Sequence, residues 1–274
     1  VGAAAFLSGG GRDHGRLRHF DQVLDFQRFL ARHVEHARMV LEAQPGDALV
    51  LFDGQGREAR AVVQAMGRRD VTVQVESVAA ADRELPLAVT LAVGMPANER
   101  MDALVEKLTE LGMSALQPLA CERSVLRLQG ERSLRRSAHW QAVAVAAAEQ
   151  CGRAQVPQIA TPCDLDAWLA ALARPGSASG AQPQRGPAAA SVPRARWLLS
   201  LDPGALAPAA ALASCGGARS LLVLSGPEGG LTLAERAAAR AAGFVDVSLG
   251  PRVLRADTAP LVLLAWLGVA LSAG

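Results

Sequence analysis

Leu221-Leu222-Val223-Leu224-Ser225-Gly226-Pro227-Glu228-Gly229-Gly230 is the stretch whose reading decides the fold. Four aliphatic residues in a row read as a buried strand, and the glycines and proline that follow cannot extend it. Thr232 and Glu235 then form a capping box that opens a helix, and Gly243 ends it. A strand, a glycine-rich turn and a helix in immediate succession build a parallel sheet covered by helices. Such a turn lets backbone approach a ligand closely, at the strand end where open α/β sheets receive small molecules. Spacing alone favours a plain strand-to-helix turn. The stretch is neither a GxGxxG fingerprint nor a Walker loop, and the chain has no GxSxG elbow and no HExxH.

The same grammar continues on both sides. Downstream, a strand at 245–249 leads into Ser248-Leu249-Gly250-Pro251-Arg252-Val253-Leu254-Arg255 and an apolar helix at 259–273. Two Gly-Pro loops at neighbouring strand ends can wall one pocket, with Arg252 and Arg255 as cations beside it or as solvated loop residues. Upstream, strands are expected at 87–93, 115–119 and 197–201, with helices at 100–111 and around 140–150. Residues 174–196 are rich in Pro, Gly, Ser and Gln without apolar periodicity, and read as a mobile surface loop. Before Pro86 the texture changes. Ala48–Phe52 is apolar, Asp53-Gly54 and Gly56 supply hairpin chemistry, and Val71–Glu76 alternates with period 2, predicting a small antiparallel sheet or barrel. The expected division is a variable tail at 1–16, a small β domain at 17–83 and an α/β domain at 84–274.

Composition bounds the function. The 274 residues carry 28 Lys+Arg against 26 Asp+Glu, a net charge of +2, which excludes a histone-like polycation but allows a local basic face. The aromatic share is 4% with no Tyr, so RNA would be held by arginine and shape rather than by stacking. Four scattered cysteines with no CxxC pair argue against a metal ribbon or disulfide scaffold and for a reduced, cytoplasmic setting. The apolar 259–273 run is shorter than the roughly 20 residues that span a bilayer. No membrane role and no metal are expected.

Five ordered segments carry more than their separate readings: Lys107-Leu108-Thr109-Glu110-Leu111-Gly112, Glu122-Arg123-Ser124-Val125, Ala147-Ala148-Glu149-Gln150-Cys151-Gly152-Arg153 with Val156-Pro157, Gly226-Pro227-Glu228-Gly229-Gly230, and Leu249–Arg255. Together they resemble the bacterial small-subunit (16S) ribosomal RNA uridine N3 methyltransferases, a SPOUT family with a C-terminal trefoil knot. The resemblance implies a PUA-like RNA-binding β-barrel before a SPOUT-type α/β knot, S-adenosylmethionine as cofactor, small-subunit ribosomal RNA as substrate and a homodimer. It places the cofactor on Leu201, Ser225, Gly226, Pro227, Gly229, Leu249, Gly250 and Leu254. RNA contacts fall to Arg18, Arg38, Arg100, Arg123 and Arg252, and catalysis to Arg255, Arg123 and Glu228. The chain departs from the family pattern at Met39, Glu42, Ala256 and Asp257. A SPOUT enzyme acting on another RNA, such as a transfer RNA ribose 2′-hydroxyl, and a non-enzymatic assembly factor are the rival readings.

Overall fold

The computed structural model describes residues 5–7, 44–67, 71–81, 83–173 and 194–272. Two compact units emerge, Val1–Glu84 with Ala148–Val156, and Leu85–Ala147 with Pro157–Gly274.

The first unit is an antiparallel sheet of β1 (Ala5–Leu7), β2 (Ala48–Phe52), β3 (Arg57–Met66) and β4 (Val71–Ala80), paired in chain order. The β2–β3 turn is built by Asp53, whose carboxylate accepts from the Gln55 and Arg57 amides at 2.7 and 3.1 Å and from Arg57 Nε at 2.6 Å. Period-2 alternation sends Val71 and Val73 inward to meet Ala59, Ala61, Val63, Leu49 and Leu51. Residues 5–7, expected within a tail, pair with β2 instead.

Residues 148–156 also differ from expectation, because they group with this small sheet rather than with the α/β unit. The Gly56 amide donates to the Ala154 carbonyl at 2.9 Å, the Val156 amide donates to the Gly54 carbonyl at 3.1 Å, and Ala154 packs on Phe52. Arg153 and Glu84 form an ion pair whose side chains are 6% and 10% exposed.

The second unit holds seven parallel strands: β5 (Ala88–Gly94), β6 (Ala115–Ala120), β7 (Gln158–Ile159), β8 (Cys163–Asp164), β9 (Arg194–Leu199), β10 (Ser220–Ser225) and β11 (Val245–Val247). Their order is β11-β9-β10-β5-β6-β7, with β8 also on β6. The helices are α1 (Asn98–Glu110), α2 (Gly130–Cys151), α3 (Leu165–Leu172), α4 (Pro208–Ala213), α5 (Leu233–Ala241) and α6 (Thr258–Ser272). β5 and β10 are almost wholly buried and mostly apolar because helices cover both faces of a parallel sheet. Trp168 and Phe244 anchor one layer at a centroid distance of 6.0 Å, and α6 packs on α1. This is the α/β class expected, preceded by the small β domain. The strand β9 begins at Arg194, so the expected loop gives way to sheet over its last three residues.

One local feature sets the chain path. β11 lies between the two arms of an earlier loop: the Ser200 amide donates to the Val247 carbonyl on one side, while Leu206 exchanges bonds with Asp246 and Ser248 on the other. The late strand has re-entered the loop that follows β9, the arrangement expected of a trefoil knot. Arg240 on α5 clasps it, donating to Asp246 Oδ2 at 2.7 Å and to Asp202 Oδ2 at 2.6 Å. Burial pushes the Asp246 carboxyl up, yet hydrogen bonds from Arg240 and Ser200 outweigh it and hold the group below its ordinary value.

Two measurements check these assignments. Arg153→Ala leaves Glu84 buried without its cation, and should cost about 3–5 kcal/mol in a urea melt. Arg135→Ala, which removes an exposed pair with Glu131, should cost about 0.5 kcal/mol or less. A lowered carboxyl pKa stabilises the fold above the unfolded value of about 4 and is lost as pH falls through the folded value. Asp246→Asn should therefore melt below the unmutated protein at pH 7, with the gap closing under pH 4.

Candidate active site at the carboxyl edge of the parallel sheet

Because β9, β10 and β11 run parallel, the loops that leave them emerge together at one edge. They enclose a cleft of about 520 Å³, within the range of small-molecule sites. Leu199, Ser200 and Leu201 come from the end of β9, Ser225 to Glu228 from the end of β10, and Leu249 to Ala256 from the segment after β11. The cleft is therefore assembled from three segments distant in sequence, brought together by the re-entry of β11.

Most residues singled out from the sequence meet here. Leu201, Ser225, Gly226, Pro227, Leu249, Gly250 and Leu254 line the cleft, as do Arg100, Glu228, Arg252 and Arg255. Gly229 and Arg123 do not. They face each other, and a β-carbon on Gly229 would stand 2.9 Å from Arg123 Cβ. The Arg123 guanidinium donates to the Gly229 carbonyl at 3.0 Å, so it fastens the loop from behind. Arg18 and Arg38 lie outside the described residues.

The loop after β10 is fixed from several directions. Thr232 and Glu235 close the capping box, with the Thr232 amide donating to Glu235 Oε2 at 2.7 Å and the Glu235 amide to Thr232 Oγ1 at 3.2 Å. Glu235 Oε1 accepts the Glu122 amide at 2.8 Å. Beneath the loop, a β-carbon on Gly94 would fall 2.5 Å from the Pro227 nitrogen, so only glycine allows β5 to end there.

Charge at the rim is unevenly spent. Glu228 Oε1 accepts the Ala97 amide at 3.2 Å and lies 3.8 Å from Arg100, whose Nε is 4.0 Å from Asp257. Arg252 and Arg255 are exposed and have no ion-pair partner among the described residues. The cleft thus offers two unspent guanidiniums at its mouth.

The walls suit S-adenosylmethionine. Leu199, Leu201, Leu231, Val247, Leu249 and Leu254 give an apolar slot for a purine, and the loop backbones supply polar partners. A β-carbon on Gly250, at φ +106°, or on Gly230, at φ +66°, would meet nothing within 4 Å, so a guest can lie against bare backbone. Arg236 also lines the cleft, and its Nε is buried without a partner. Sequence reading missed it, because an arginine inside a capped helix reads as solvated surface. Burial pushes the Cys121 thiol up to about 12 and the Cys163 thiol up to about 11, so both stay protonated. Among the described residues no group of three His, Cys, Asp or Glu is placed to hold a metal ion, and no helix is long and apolar enough to cross a membrane.

Comparison with known proteins agrees with this geometry. An RNA methyltransferase domain model matches residues 83–268, and an RNA methyltransferase PUA domain model matches 34–76. Ribosomal RNA small subunit methyltransferase E of Synechocystis sp. is 33% identical over 238 residues, covering 87% of this chain and 71% of that protein. The Bacillus subtilis protein of the same name is 30% identical, covering 84% and 85%. Two solved structures with bound S-adenosylmethionine, a methyltransferase from Legionella pneumophila and a ribosomal RNA small subunit methyltransferase E from Neisseria gonorrhoeae, each superpose at a TM-score of 0.71. Each is 28% identical and covers 88% of this chain and 90% of its own. With the cleft formed by the matched domain and most of the chain aligned, this protein belongs to the RNA methyltransferase family, with a PUA domain preceding the methyltransferase domain.

Proposed function

We propose that this chain methylates N3 of a specific uridine in small-subunit (16S) ribosomal RNA, in the cytoplasm, with S-adenosylmethionine bound in the cleft at the ends of β9, β10 and β11. The observation that carries the reading is the pairing of an apolar, backbone-lined slot with two unspent arginines at its mouth. The names of the relatives point to the same substrate.

The cofactor supplies an electrophilic methyl group. The backbone of Gly226, Gly250 and Leu254 would hold it, and the apolar walls would exclude water. Uracil N3 is a poor nucleophile while protonated, so the chain must favour the anion that forms as the proton leaves. A guanidinium near a uracil carbonyl does this, and its planar fork meets two acceptors together. Arg255 fills the role because it borders the slot and no carboxylate neutralises it. Arg252 grips phosphate beside it. Arg100, already paired, positions Glu228, whose Oε1 accepts the Ala97 amide, and the other carboxylate oxygen of Glu228 takes the N3 proton.

The active form is a homodimer through α6. Leu263, Leu264 and Leu267 bury one face of that helix, whereas Val262 and Val269 on another are exposed, Val269 to 74%. An apolar face of this kind is covered most simply by a symmetric copy.

Arg255→Ala should lower the single-turnover rate of ribosomal RNA methylation about 100-fold at saturating RNA. Arg255→Lys should fall between, and calorimetric affinity for S-adenosylmethionine should stay unchanged in both. An unmutated rate at saturating RNA would make Arg255 a binding residue only. Light scattering at micromolar concentration should return the dimer mass, and Val269→Glu should shift it toward the monomer.

A further inference from the structure

A second cavity, of about 540 Å³, opens at the carboxyl ends of β6 and β8, where α2 and α3 begin. All strands of the sheet are parallel, so it shares an edge with the cleft. Two to three strand spacings, about 10–15 Å, separate it from the end of β10. Its walls include Arg127, Gln129, Ser133, Leu134, Thr161 and Asp164.

Three observations mark it as a binding site. Ser133 is 4% exposed, and its hydroxyl has no hydrogen-bond partner, an omission that a native fold seldom tolerates without a guest. Arg127 donates to the Glu122 carbonyl at 3.0 Å and meets no carboxylate among the described residues. The adjoining chain carries Arg123, Arg132, Arg135 and Arg136, and among the described residues only Arg135 of these has an ion-pair partner. Leu134, on the same wall, is 60% exposed and offers an apolar face beside these cations.

We propose that this cavity is a nucleotide subsite: an unpaired nucleotide of the substrate RNA, a few positions from the target uridine, enters it while the uracil occupies the cleft. The proposal rests on the methyltransferase reading above. A phosphate meets Arg127 and the free amides of the first turn of α2, where the helix dipole adds to the attraction. The base lies on Leu134, and its polar edge reaches Ser133, which gives a hydroxyl proton or accepts one. Asp164 accepts an amino or imino N–H, so bases that offer one are preferred. Arg123 and Arg127 mark the path between the two sites. Specificity follows, since two bases at a fixed separation must be unpaired together.

The test uses the full chain, ribosomal RNA fragments containing the target, and copies of that fragment with one abasic position each. One abasic position near the target should weaken binding to the unmutated protein about tenfold. Thr161→Trp, which fills the cavity from an exposed position, should lose about tenfold with intact RNA and nothing more with that abasic RNA. Arg127→Gln should bind more weakly and lower the slope of log affinity against log salt by about 1. Affinity for S-adenosylmethionine should be unchanged in both variants. RNA binding within twofold of the unmutated protein in both variants overturns the subsite, as it would if the cavity served a protein partner. So does a scan in which no abasic position matters. Should Thr161→Trp fail to fold, Arg127→Gln and the abasic scan still decide. If the unmutated protein methylates no ribosomal RNA, the functional reading falls and takes the subsite with it. If it does, and the variants match it, only the subsite falls.

Discussion

The carboxylate of Glu235 holds together what the rest of the cleft depends on. It is 5% exposed, and its two oxygens accept amides from separate parts of the chain, Thr232 at the start of α5 and Glu122 after β6. A buried charge survives only when its lone pairs are satisfied, so both segments are pinned to one point. Between them runs the loop after β10, fastened from its far side by Arg123 on the Gly229 carbonyl. The loop is stiff before any ligand arrives, which is the condition under which backbone groups bind without losing much entropy.

Parallel topology turns that local stiffness into a site. Every strand of the larger sheet ends at the same edge, so loops distant in sequence become neighbours there. β11 enters between the arms of the loop that follows β9, and it carries Leu249 to Arg255 across the ends of β9 and β10. The Arg240 clasp to Asp202 and Asp246 secures the crossing. One wall of the slot and the proposed catalytic Arg255 therefore come from one re-entrant segment, and a slip of β11 would remove both.

The alternation of apolar strands with capped helices was legible because each signal is local: Thr232 and Glu235 lie three residues apart, and Leu221–Leu224 is an unbroken aliphatic run. The two Gly-Pro loops were legible as walls of one pocket for the same reason. Partnerships between distant residues were not. Nothing near Arg153 announces that it pairs with Glu84, or that Ala154 packs on Phe52 in the small sheet. Gly229 resembles its neighbours in sequence, yet it serves to let Arg123 pass close rather than to line the cleft. Ser133 and Arg236 gave no signal, since their missing partners become apparent only once the neighbours are in place.

The distribution of charge argues for how labour is divided among the arginines. A cation already matched to a carboxylate has little left to give a developing anion, because the field it presents is largely cancelled at short range. Arg100 faces both Glu228 and Asp257, so its contribution is geometric, setting the loop after β10 against the first turn of α1. Arg123 donates to the Gly229 carbonyl, which fastens the loop but leaves its charge unmatched. Arg252 and Arg255 stay unmatched among the described residues, and both are exposed to water. On the proposed function an RNA phosphate and an ionising uracil would displace that water, so the arginines would gain most at the step where negative charge develops.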